Sequence, residues 1–253
     1  AKEFEKKLFT MNYPLTIYSK FNNSIDKSLL DQWQSKYPKL KFSPYISSQV
    51  IAQSGEDMSG GMIFGVIPQK EASINDIYKE ALGDLKLSKY DIITGVGISS
   101  KLFLNQGTKT TLYFTSLNPT GFSMIPKMKR FTFQNSFKSG LNAYDQAYMY
   151  TSIEALQTLL KKPKDTYDGI HIYSDDAFKD IEKLRVELKD TGAGVLGWWQ
   201  QNGNFFAAMK MEKTALFIVL MLIILVASLN IISSLLMTVM SRRKEIALLL
   251  SMG

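Results

Sequence analysis

Residues 214–241 read TALFIVLMLIILVASLNIISSLLMTVMS, twenty-eight positions from Thr214 to Ser241 without a charged side chain. Coiled as a helix at 1.5 Å per residue this stretch would reach about 42 Å, more than the roughly 30 Å of a bilayer's hydrocarbon core. Between Leu216 and Val239 stand sixteen Leu, Ile, Val and Phe residues. Together they favour insertion by about 5 to 10 kcal/mol, against the cost of Asn230 and a few serines. A soluble core helix rarely runs so far without a charge. The segment therefore predicts one transmembrane helix, and the 213 residues before it a folded domain outside the bilayer. Lys210 and Lys213 flank one end and Arg242, Arg243 and Lys244 the other, an imbalance that leans towards a cytoplasmic second flank. Ala227, Asn230 and Ser234 recur at i, i+3 and i+7. They place small and polar groups on one helical face, as a helix packed against a neighbour would; a bond from Asn230 to its own backbone is the alternative.

Across all 253 residues, 45% are apolar and 21% charged, which excludes a disordered polymer and permits a sizeable core. The net charge of +7 comes mostly from scattered lysines. No stacking or basic-helix pattern accompanies it, so a solvated lysine surface is expected and nucleic acid is rejected. With no Cys, disulfides, thiol catalysis and thiolate metal sites are excluded, and the redox compartment stays open. The chain opens at Ala1 without an initiator Met and stops at Gly253, and is read as cut at both ends.

Before the apolar segment, short strands alternate with amphipathic helices. A strand is expected at Leu15–Tyr18, then a helix after Ser24 carrying Ile25, Leu29 and Trp33 at i, i+4 and i+8. Extended stretches follow at Gln49–Gln53 and Gly61–Ile67, the second closed by Pro68. A middle section reads as strand Asp91–Thr94, helix Lys101–Leu104, a turn at Gly107, and paired strands Thr110–Thr115 and Phe131–Phe137. Between those two strands, Ser116–Lys129 contains Asn118-Pro119-Thr120-Gly121 and Ile125-Pro126, too long for a tight turn and so a candidate functional loop. Thr151-Ser152-Ile153-Glu154 reads as a capping box after strand Ala147–Tyr150. The last part, strand Gly169–Tyr173, helix Asp176–Leu188 and strand Val195–Trp199, completes a split β-α-β unit with the N-terminal part. The fold class expected is thus an α+β domain, with a mostly-β subdomain inserted in the middle, plus one C-terminal transmembrane helix.

Little in the chain points to chemistry. His171, the single histidine, lies between Ile170 and Ile172 in a strand pattern and reads as structural. One His without Cys cannot build a histidine metal cluster; a carboxylate-only site stays open. Asp175 and Asp176 suit a helix start. Gly95-Val96-Gly97 lacks the third Gly and the Lys-Ser/Thr of nucleotide loops, so it reads as a turn. No catalytic residue, cofactor or metal is expected.

Several motifs, in order, resemble one family. Met211-Glu212-Lys213, Ala227 through Leu235, and Arg243-Lys244-Glu245-Ile246-Ala247-Leu248-Leu249 with Met252-Gly253 are similar to the second transmembrane helix and coupling segment of lipoprotein-releasing ABC transporter permeases. Ser43 to Ile46, Gly65 to Gln69, and Ile93 to Gly97 through Leu102 to Gly107 resemble domain motifs of the same family, and Phe4 to Leu8 resembles the segment just after its first transmembrane helix. The macrolide-exporter and cell-division permeases of the wider superfamily share the Glu-Ile and terminal Gly signature, so that signature alone is weak.

The resemblance implies a four-helix permease of the bacterial inner membrane with residues 1–213 in the periplasm. Segments 14–75 and 165–205 would form a porter-like part and 85–160 an inserted sabre-like subdomain; 214–241 would be a membrane helix and 242–253 a cytoplasmic coupling segment. It implies a non-catalytic subunit whose partners are a separate ATPase, a second permease chain of the same or a sister type, a lipoprotein substrate and a periplasmic lipoprotein chaperone. That chaperone would dock on a hook at 116–130, where Phe122, Met124, Ile125, Pro126, Met128 and Arg130 supply apolar and charged contacts; packing of these groups back on the domain is the alternative. Glu245, Ile246, Leu249 and Leu250 would face the ATPase, the last three as an apolar strip at i, i+3 and i+4; a basic juxtamembrane anchor is the bland alternative. Two other functions stay open: a force-transmitting permease for efflux or for regulating wall hydrolases, and a single-anchor extracytoplasmic sensor.

Overall fold

Alternation decides the longest strand. From Phe42 to Ala52 the even-numbered residues are buried while Gln49 and Ile51 face out, the period-two pattern of a strand with one face on the core. The computed structural model describes residues 11, 13–20, 24–115, 127–201 and 203–253, and divides into two units, up to Gln201 and from Asn202.

In the first unit β1 is Leu15–Ser19, β2 Ile25–Asp26, α1 Lys27–Lys36, β3 Lys41–Ser54, β4 Asp57–Val66, α2 Pro68–Ala72 and α3 Asp76–Leu82. There follow β5 Asp91–Gly95, α4 Val96–Lys101, β6 Lys109–Phe114, β7 Lys127–Phe137, α5 Asn142–Asp145, β8 Tyr148–Ser152 and α6 Ile153–Leu160. Then come β9 Thr166–Tyr167, β10 Gly169–Tyr173, α7 Ala177–Glu187, β11 Ala193–Gly197 and α8 Trp198–Gln201. The second unit holds one helix, α9, Gly203–Ser251.

Nine strands lie in the order β11-β1-β10-β3-β4-β8-β5-β7-β6, and β6 also pairs with β3. That last pairing closes β3, β4, β8, β5, β7 and β6 into a ring, which removes two strand edges. β3 serves both halves of the sheet. Along one edge it pairs with β4 from Tyr45 to Ser54; along the other it pairs first with β10 through Lys41–Tyr45 and then with β6 through Val50–Gln53. Where β10 gives way to β6, the Asp168 carboxylate accepts from the Ser47 N–H at 3.0 Å. One core cluster runs through ring and wing, with Val50, Ile63, Ile92, Leu112, Phe131 and Met149 joined to Leu15, Ile17, Trp33, Ile170, Ile172 and Leu184. Each such buried side chain contributes about 1.5–3 kcal/mol.

Several expectations shift: β3 starts at Lys41 rather than Gln49, and β7 starts at Lys127 rather than Phe131, so that Lys127–Lys129 of the expected loop belong to a strand paired with β6. Ile25 is buried in β2, paired with Tyr167, so the first helix starts at Lys27 rather than after Ser24. The helix expected at Lys101–Leu104 lies earlier, at Val96–Lys101, and Phe103, with φ at +49°, stops it. Its two glycines let α5 come close: a Cβ on Gly95 would sit 2.2 Å from the Asp145 carbonyl oxygen, and one on Gly97 2.9 Å from it. The helix cap falls on Ser152, which accepts from the Ala155 N–H, because Thr151 is buried in β8 and donates to the Asp91 carbonyl at 2.8 Å.

Candidate functional site

The paired strands β6 and β7 carry the expected hook, running in register from Lys109 opposite Thr132 to Phe114 opposite Lys127. Their inward faces are apolar, with Leu112, Phe114, Phe131 and Phe133 all buried. Two lysines brace the far end of the pair. Lys127 Nζ donates to the Leu159 carbonyl at 3.1 Å, and Lys129 Nζ lies 4.3 Å from the Tyr90 ring centre, a cation–π distance. On the outward face Met128 is 67% exposed. It stands opposite Tyr113, which in turn stands opposite Ile51 of β3; Ile51 is itself exposed. Arg130, also exposed, stands opposite Thr111, then Gln53, then the exposed Met58. Of the expected docking residues, Met128 and Arg130 are thus placed on one strand face. Phe122, Met124, Ile125 and Pro126 lie outside the described residues. Ile51, Tyr113 and Met58 were not read from the sequence; the signal was there in Ile51, out of phase with Val50 and Ala52.

Within α9 the stretch from Lys210 to Ser251 is long and apolar enough to cross a membrane, and its most apolar window has no buried residue. Its large apolar side chains from Leu216 to Met240 are 50–77% exposed. Hydroxyls are satisfied locally: Thr214 donates to the Lys210 carbonyl at 2.9 Å, Ser228 to Ile224 at 2.7 Å and Thr238 to Ser234 at 2.9 Å, the usual solution for Ser and Thr in an apolar helix. Ala227, Asn230 and Ser234 are exposed on this helix, at positions that share a face. The helix continues through Ile246, Leu249 and Leu250, 55%, 72% and 79% exposed, and Glu245 lies in the same helical turn as Ile246.

A polar cluster under β1 escaped the sequence reading. Glu71 of α2 is wholly buried. Its carboxyl group accepts from the Tyr13 hydroxyl, from Ser43 Oγ at 2.6 Å and from Asn75 Nδ2 at 3.2 Å, while burial raises its pKa. Tyr13 stacks on His171, ring centres 3.6 Å apart, and Tyr45 stacks on the same imidazole at 4.1 Å. His171 is buried in β10, and burial lowers its pKa to about 3. Among the described residues no group of His, Asp and Glu could hold a metal ion.

No family model matches the chain. Over 216 residues it is 28% identical to the "Lipoprotein-releasing system transmembrane protein LolC" of Xylella fastidiosa strain Temecula1, covering 83% of this chain and 52% of that protein. This chain is similar to LolC proteins. The LolC protein of Buchnera aphidicola from Acyrthosiphon pisum is 29% identical over 259 residues, covering 100% of this chain, α9 included, and 63% of its own length. The chain therefore spans between about half and just under two thirds of these relatives. Among solved structures, the periplasmic region of MacB from Actinobacillus actinomycetemcomitans superposes with a TM-score of 0.46 at 12% identity, covering 79% of this chain and 97% of that one.

Proposed function

We propose that this chain is part of a permease subunit of an ATP-driven lipoprotein-releasing transporter in a bacterial inner membrane, with no catalytic residues of its own. The observation that carries the reading is its sequence similarity to LolC along the whole chain. In this reading residues 1–213 lie in the periplasm, 214–241 cross the bilayer and 242–253 meet a separate ATPase through Glu245, Ile246, Leu249 and Leu250. Ala227, Asn230 and Ser234 pack against another permease helix, from a chain of the same or a sister type. Segments 14–75 and 165–205 form the porter-like part: β1, β10 and β11 come from the two ends of the domain and lie side by side against β3. The inserted part, 85–160, supplies β5 to β8 of the ring.

The hook at 116–130 takes the periplasmic lipoprotein chaperone. Support comes from its root, where exposed Met128 and Ile51 and the half-buried Tyr113 line one strand face and Arg130 stands beside them. A flexible thioether and an aromatic ring suit a partner that itself carries acyl chains. The test is a pull-down of the detergent-solubilised chain with the periplasmic lipoprotein chaperone, using the intact chain and one with Phe122–Met128 replaced by a short Gly-Ser turn. Capture by the intact chain only is the expected outcome. Capture by neither moves the reading to an efflux or wall-regulating permease.

A further inference from the structure

Tyr13 is half-buried, yet it lies over two titratable side chains that are almost wholly enclosed, Glu71 at 0% and His171 at 6% exposure. Its hydroxyl donates to Glu71, takes a hydrogen bond from Asn75 Nδ2 at 3.1 Å and lies 3.3 Å from the Tyr150 hydroxyl. Its ring covers one face of His171, parallel to within 8°. One side chain ahead of β1 thereby joins α2, the α2–α3 turn, β8 and β10. Moving it would admit water to Glu71 and His171 together. We propose that Tyr13 is a latch holding the chain that enters β1 against the α2–α3 layer, and that Glu71 and His171 set the pH range in which it stays closed. This reading is independent of what the transporter carries.

The two groups act with opposite sign. Closure lowers the His171 pKa from 6.5 to about 3, so closure gains strength as pH rises from about 3 to 6.5 and loses it on acidification. Closure raises the Glu71 pKa above 4.5, so closure is strongest below 4.5 and weakens as pH rises through the raised value. Among the described residues, the other titratable groups facing the cluster are tyrosines. Tyr45 of β3 is pushed up to about 12, Tyr78 of α3 higher still, and Tyr13 and Tyr150 well above their usual value, so all stay protonated through this range. Asp168, beyond Tyr45, is paired with Lys162.

Hydrogen exchange of the detergent-solubilised chain across pH 3–8 tests the latch, reading protection factors in residues 67–78, where the Asn75 amide bonds the Glu71 carbonyl at 2.9 Å and the Tyr78 amide bonds Asn75 Oδ1 at 3.0 Å. In the parent chain protection climbs from pH 3 and slackens above 4.5, where Glu71 begins to oppose it. Glu71→Gln keeps climbing to pH 6.5, and at neutrality exceeds the parent by about tenfold for each pH unit by which closure raises Glu71. His171→Asn loses the acid limb and only falls above pH 4.5. Tyr13→Phe keeps the ring and does not depend on the Glu71 variant folding; without the hydroxyl's bonds to Glu71 and Asn75 it is less protected than the parent across the range, most of all at neutrality, where Glu71 is ionised. Profiles that superimpose for parent, Glu71→Gln and Tyr13→Phe overturn the latch. So does an equal change in the ring strands at 91–95 and 131–137, which would mean global rather than local opening.

Discussion

Phe131 and Gly95 show how far single residues carry the domain. Phe131 is 1% exposed between β6 and the ring interior, so Phe131→Ala should cost about 3–5 kcal/mol, read as a lower thermal midpoint of the solubilised chain. An unchanged midpoint would mean that the ring collapses around the gap. Gly95→Ala drives a methyl group to 2.2 Å from the Asp145 carbonyl oxygen and should cost about 1–3 kcal/mol; backbone, not a flexible side chain, is what it meets. At this scale the sequence was partly legible. His171 between two isoleucines announced a strand interior. Local sequence did not announce the burial of Glu71, because Tyr13 and Ser43, which donate to its carboxyl group, come from distant segments and single-chain patterns register only neighbours.

Among elements, boundaries moved where tertiary contacts overrode local signals. Ser152 rather than Thr151 caps α6, since Thr151 is drawn into β8 by its bond to Asp91. The Ser152 hydroxyl also donates to the Lys89 carbonyl at 2.8 Å, so Ser152→Ala should cost about 1 kcal/mol or somewhat more, checked by thermal denaturation beside Ser35→Ala, whose hydroxyl donates to the Asp31 carbonyl of its own helix. Strands β1, β5, β6 and β10 were read to within a residue or two from alternation and flanking turns. The β3–β6 pairing was not, because ring closure depends on register between strands about sixty residues apart. In α9, Asn230→Leu should leave insertion intact and weaken helix association in a two-hybrid membrane assay by about 1 kcal/mol; unchanged association would free Asn230 from the packing face.

For the whole molecule, length and polarity made the apolar helix plain from sequence alone, and similarity to LolC, not a local motif, supports the proposed function. Because the chain contains no Cys, orientation can be read by adding one thiol at a time. In intact inner-membrane vesicles and cells, Glu56→Cys should react with an impermeant reagent only from the periplasmic side and Ser251→Cys only from the cytoplasmic side; the reverse would invert the topology. Lipoprotein release is decided by depleting the protein and fractionating the two membranes. Outer-membrane lipoproteins should then accumulate in the inner membrane and return to the outer one when the protein is restored. Lipoproteins that sort normally after depletion would contradict a role in release.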